Sequence, residues 1–120
     1  MDKIKTFEDA CLALGIEATL PDFSPMPEEL QKPLIAHYKL VVIAKALNEG
    51  WVPDWTNSSE YKYYPWFKMG SPSGVGFSYY DFADWAAFSD AGSRLCFKSA
   101  DLAKHAGKHF EDIYKEFLTA

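Results

Sequence analysis

Apolar residues recur at helical spacing near the start of the chain, at Phe7, Cys11 and Leu14 with Ala10 beside them. Thr6 stands where a cap belongs, Glu8 and Asp9 place acids in the first turn, and Gly15 is a natural stop. A short helix is expected there. The connector over 16–27 is punctuated by Pro21, Pro25 and Pro27, which hold it extended. Glu28–Asn48 is the longest helical candidate, opened by Pro27 and two glutamates and ended by Gly50. Pro33, one turn in, predicts a bend or a split into a short turn plus Leu34–Asn48. Between Leu34 and Leu47 only His37, Lys39 and Lys45 interrupt an apolar surface, so this segment is expected to be the central core helix.

A loop follows, Trp51–Ser59, and then the period changes. Tyr61–Phe67 reads as a strand from its aromatic content, with Pro65 demoting its second half to an edge or a bulge. Gly70–Gly74 supplies a turn and Val75–Tyr80 a returning strand, a hairpin. Asp81–Ser93 is open between a helical turn and a loop, and Arg94–Phe97 reads as a short third strand. Ser99 caps a last helix, Ala100–Leu118, with Leu102, Ala106, Phe110, Ile113 and Phe117 on one face and lysines on the other. The order α-α-β-β-β-α describes one α+β domain over 1–120, with helices packed on one face of a small antiparallel, aromatic-rich sheet.

Composition sharpens this in two places. Aromatics reach 17% of the 120 residues and crowd into Glu60–Lys98. The net charge is −5, and Arg94 is the only arginine, so bidentate clamping of an anion has one candidate side chain. Two distant cysteines, Cys11 and Cys96, read as buried thiols in a reducing compartment rather than as a disulfide or metal framework. The first residues lack the apolar run of a signal peptide, and Leu34–Leu47 is too short to span a bilayer. A cytoplasmic protein without membrane contact is expected.

The aromatic stretch is the main candidate for function. Strand alternation puts Tyr61 and Tyr63 on one face and Lys62, Tyr64 and Trp66 on the other. Tyr61, Lys62, Tyr63, Trp66, Tyr79, Tyr80 and Arg94 form the expected binding surface, with rings beside cations as in a stacking platform. The acidic balance speaks against phosphate binding, and rings of this kind also build cores and protein contacts. His105, His109 and Asp112 fall on one helical stripe and are weak metal candidates, since no further ligand accompanies them. His37 reads as a buried, hydrogen-bonded histidine of the core helix. Asp81, Asp84 and Asp90 read as turn formers and caps. No nucleophile elbow, phosphate loop, CxxC pair or dinucleotide fingerprint is present, so the enzyme reading is the weaker one and no cofactor is expected. The Trp51–Trp55 loop and its proline are a further candidate wall for a small-molecule pocket, with no ligand class indicated.

Several phrases together, GSRLCFKSADLAKHAGKHFEDIYKEFL at Gly92–Leu118, TFEDACLALGI at Thr6–Ile16 and YYPWF with GFSYYDFADW between them, span most of the chain. In these the chain resembles a family of small uncharacterised proteins of gut anaerobes and their phages and prophages. The resemblance implies a standalone protein of this size, related to a mobile element. It carries no activity and hence no functional residue.

The leading expectation is a non-enzymatic module for protein–protein interaction or assembly, its partner another protein or a second copy, met through the exposed sheet face. The alternative is single-stranded nucleic-acid binding by the same rings, aided by Lys62, Lys68, Arg94 and Lys98. A third reading is a small enzyme or metal site at His105 and His109.

Overall fold

The computed structural model describes residues 2–69, 78–86 and 93–119, with backbone alone at 78–80, 85 and 93. Helix α1 (Phe7–Leu14) is closed at its start by a reciprocal capping box. Thr6 Oγ1 accepts the Asp9 N–H at 3.0 Å, and Asp9 Oδ2 accepts the Thr6 N–H at 3.1 Å. Gly15 ends it in the left-handed region, φ 70°, as its sequence position requires.

Helix α2 (Glu28–Asn48) runs unbroken through Pro33, against the expected split. Proline at that point removes one N–H, and the carbonyl left over belongs to a turn exposed to water, where solvent replaces the lost partner. From Ala36 onward the helix is core, with Leu40, Ile43 and Leu47 fully enclosed. Its first two turns, including Leu30 and Leu34, stand clear of that core. It ends at Asn48, as expected, with Glu49 at φ 50° and Gly50 at φ 85°.

Strands β1 (Lys62–Lys68) and β2 (Ser78–Trp85) pair antiparallel, Lys62 opposite Trp85 and Lys68 opposite Ser78. The register slips between Trp66 and Phe67, which oppose Asp81 and Tyr79, so Tyr80 is the extra residue of a bulge. The second strand therefore extends through Asp81–Trp85, the segment that sequence alone left open. The expected Gly70–Gly74 turn and Asp90 lie outside the described residues.

The expected third strand is not formed. Ser93–Leu95 is a 3-10 turn, and only Phe97 touches the sheet, through a bridge to Tyr63 with N–H···O distances of 2.9 and 2.6 Å. The described sheet is thus two-stranded.

The last helix is also two. Helix α3 (Ala100–His109), capped by Ser99, and helix α4 (Glu111–Thr119) are separated at Phe110, whose φ of −118° leaves the helical range. Phe110 and Tyr114 both reach the interior, where they are 2% and 5% exposed. Helix α3 lies against both strands, while α2 packs against α1 and α4. The joints are aromatic: Phe7 meets Tyr38 edge-on at 6.3 Å, Phe67 meets Tyr114 at 4.8 Å, and Tyr63 meets Phe82 at 5.8 Å. Among the described residues no helix is long and apolar enough to cross a membrane.

Candidate functional site

The loop between α2 and β1 is tied together by a buried cation. Lys62 begins β1 and is fully buried. Its Nζ donates to the carbonyl oxygens of Asp54 (2.6 Å), Ala86 (2.7 Å) and Asn57 (3.1 Å). Glu60 Oε1 lies 3.5 Å away, and the ammonium sits 5.0 Å from the centre of the Trp55 ring. An ammonium taken out of water is tolerated only with such a set of acceptors.

The rest of the loop closes on itself. Glu60 Oε1 also accepts the Asp54 N–H at 2.9 Å, and Asp54 Oδ1 accepts both the N–H and the hydroxyl of Thr56. The hydrogen bonds from Thr56 hold the Asp54 carboxyl below its ordinary value. Asn57 Oδ1 accepts the Ser59 N–H. The carboxylates that fix the loop belong to residues within it, and the Ala86 carbonyl just after β2 ties Lys62 to the second strand.

This arrangement corrects the expected surface. Lys62 points inward and is not available to a ligand as an exposed cation. Tyr63 is turned to the core, where it packs with Phe82. Tyr61 and Trp66 remain outside, at 55% and 58% exposure. The side chains of Tyr79 and Tyr80 lie outside the described residues. Lys98 is exposed, with its Nζ 4.0 Å from Glu49, and Arg94 stands elsewhere, beside the loop.

That last position defines a cleft. The end of α2, the Trp51–Trp55 loop and the Arg94–Cys96 segment enclose an open space of about 580 Å³. Trp51 and Trp55 are half-buried against it, and Lys45 and Arg94 stand exposed at its edge. Its volume lies within the range of ordinary small-molecule sites. Asn48 and Cys96 contribute to its floor. The Asn48 side chain donates from Nδ2 to the Cys96 carbonyl at 3.0 Å and accepts the Lys98 N–H at 3.0 Å. Burial pushes the Cys96 thiol up to about 11, so it is protonated and poorly nucleophilic at neutral pH.

The histidines are not assembled as expected. His105 Nε2 lies 2.6 Å from the Ile4 carbonyl, where it donates a hydrogen bond, and its ring is 4.3 Å from that of His109. Desolvation, followed by the neighbouring His105, lowers the His109 pKa. The break at Phe110 places Asp112 on α4, apart from the helix that carries His105 and His109. Among the described residues no group of three His, Cys, Asp or Glu side chains is placed to hold a metal. His37 is exposed and stacks on Phe117 at 5.2 Å, tying α2 to α4 rather than filling the core.

Sequence reasoning missed the roles of Asn48 and Lys62 and the convergence of Lys45 with Arg94. The one visible signal was chemical: a lysine set among aromatic residues at a strand start. Compared with known protein families, curated proteins and solved structures, the chain matches none.

Proposed function

We propose that the chain is a non-enzymatic assembly module that associates with a second copy of itself. The observation that carries this reading is the exposure of Leu12, Ile16, Leu20, Met26, Leu30 and Leu34. These side chains follow one another from the end of α1, along the connector, to the first turns of α2. Exposed apolar residues scattered singly are ordinary, whereas a sustained run of them marks a contact surface.

Trp66 and Tyr61 keep part of the sheet rim as an additional contact. The nucleic-acid alternative loses support, because Lys62 is buried and Lys98 lies near Glu49.

The apolar stretch carries four carboxylates, at Glu17, Asp22, Glu28 and Glu29, against Lys32 alone. Two copies bring like charges together, so salt should strengthen the association by screening. Sedimentation velocity over a wide concentration range, at low and high salt, tests the reading. The expected result is a dimer that grows with concentration and salt and is lost in a folded Leu30→Glu/Leu34→Glu variant. A monomer under every condition, or a dimer indifferent to that variant, would overturn it.

A further inference from the structure

We infer that the cleft between the end of α2, the Trp51–Trp55 loop and Arg94 is a binding site for a small planar anion, an aromatic or heteroaromatic ring bearing a carboxylate or phosphate. This rests on the loop and its charges, and is independent of the assembly surface.

Charge is the first argument. The protein carries −5 overall, yet among the described residues no carboxylate lines this cleft, whereas Lys45 and Arg94 both do. Arg94 has no ion-pair or hydrogen-bond partner among the described residues. The chain's one arginine thus stands exposed at the edge of an aromatic-walled space, and its planar fork is the side-chain shape that receives a carboxylate or phosphate through two parallel hydrogen bonds.

Shape is the second. Trp51 and Trp55 are both half-buried at the cleft, and Val41 and Pro53 extend its apolar wall. Flat indole walls favour a flat ligand, by stacking or edge contact. Asn48, the buried polar side chain on the floor, is already engaged with Cys96 and Lys98 and serves to hold the floor in place.

Preorganisation is the third. A loop of this length is usually mobile, and a ligand that has to order it loses affinity in doing so. Here Lys62 gathers the carbonyls of Asp54 and Asn57 and packs on Trp55, so the loop is ordered before any ligand arrives.

The end of α2 points its negative pole toward this region, which opposes an anion. Two features reduce that opposition. The Ala46 and Asn48 carbonyls are taken by the N–H groups of Glu49 and Trp51, at 3.3 and 3.0 Å, and Lys45 stands in the last turn. The anion therefore belongs at the Arg94 side, with the ring against the tryptophans.

Isothermal titration calorimetry of the full chain provides the test, with indole-3-acetate, adenosine monophosphate, neutral indole-3-acetamide and acetate as probes. At least one of the two ring-bearing anions should bind, and which one does separates a carboxylate from a phosphate ligand. The neutral amide and ringless acetate should bind at least tenfold more weakly. Arg94→Gln, an exposed change whose unfolding curve should match the parent, should reduce affinity for the anion by about tenfold or more. Trp51→Leu should weaken the ring-bearing probe without creating acetate binding. Failure of both ring-bearing anions, equal binding of the neutral amide, or an Arg94→Gln variant that binds as well as the parent would each overturn the inference.

Discussion

Asn48 at the end of α2 donates its side-chain N–H to the carbonyl of Cys96 at 3.0 Å, across 48 residues of chain. The same amide accepts the N–H of Lys98 at 3.0 Å. A single side chain thus pairs with the backbone on one side of Phe97, while Tyr63 pairs with Phe97 itself. The segment over 96–98 is held as a strand would be, with a helix-borne amide standing in for one neighbouring strand.

Asn48→Ala leaves a buried carbonyl and a backbone N–H without partners and should destabilise by about 1–3 kcal/mol in urea unfolding. Asn48→Asp replaces the donor with an oxygen facing the Cys96 carbonyl. Its carboxyl should titrate above the ordinary range in the folded protein, so its penalty should grow as pH rises and shrink as pH falls. A penalty independent of pH would contradict the assigned orientation of the amide.

Lys62→Met keeps the length of the side chain and removes its charge. Three carbonyls then lose their donor, while Glu60, partly exposed at 27%, turns to solvent. The expected loss is roughly 2–4 kcal/mol, with a shift in tryptophan emission as the cation leaves the Trp55 ring. Little change in either would mean that the loop is held by Asp54 and Asn57 alone.

Both thiols should resist alkylation in the native state. Cys11 is 1% and Cys96 2% exposed, and burial raises the pKa of each, that of Cys96 to about 11. Labelling with iodoacetamide at mildly alkaline pH should proceed only through unfolding, and its rate should rise steeply with urea. Fast labelling of either cysteine without urea would contradict the packing described.

Tyr114 is 5% exposed, its ring lies 4.8 Å from that of Phe67, and its hydroxyl has no hydrogen-bond partner among the described residues. Burial pushes its pKa upward. Tyr114→Phe should therefore be neutral or stabilising by up to about 1 kcal/mol, whereas Tyr114→Ala should cost about 3–5 kcal/mol. A large loss on Tyr114→Phe would reveal a polar partner for the hydroxyl.

Local chemistry was legible in the sequence wherever the interaction spans a few residues. The Thr6 cap, the Gly15 stop, the Ser99 cap and the apolar run of α2 are all visible in the sequence, because each depends on neighbours a few positions away, and the structure adds that Asp9 reciprocates the Thr6 cap. The first strand followed from its aromatic content and the α+β class from the order of elements. The break at Phe110 was not legible, since a continuous apolar stripe from Leu102 to Phe117 fits one helix as well as two.

Tertiary structure alone decided the rest. Whether Lys62 faced water or the interior depended on a loop folding back over it, and alternation along β1 is silent about what covers each face. The third strand is reduced to a single bridge from Phe97 to Tyr63, and on the opposite edge of that segment the amide of Asn48, 48 residues away from Cys96, takes the backbone of Cys96 and Lys98. Lys45, Trp51, Trp55 and Arg94 became neighbours only when the end of α2 met the turn before Phe97. Contacts between distant segments answer to the packing of whole elements, and no local pattern of residues encodes them.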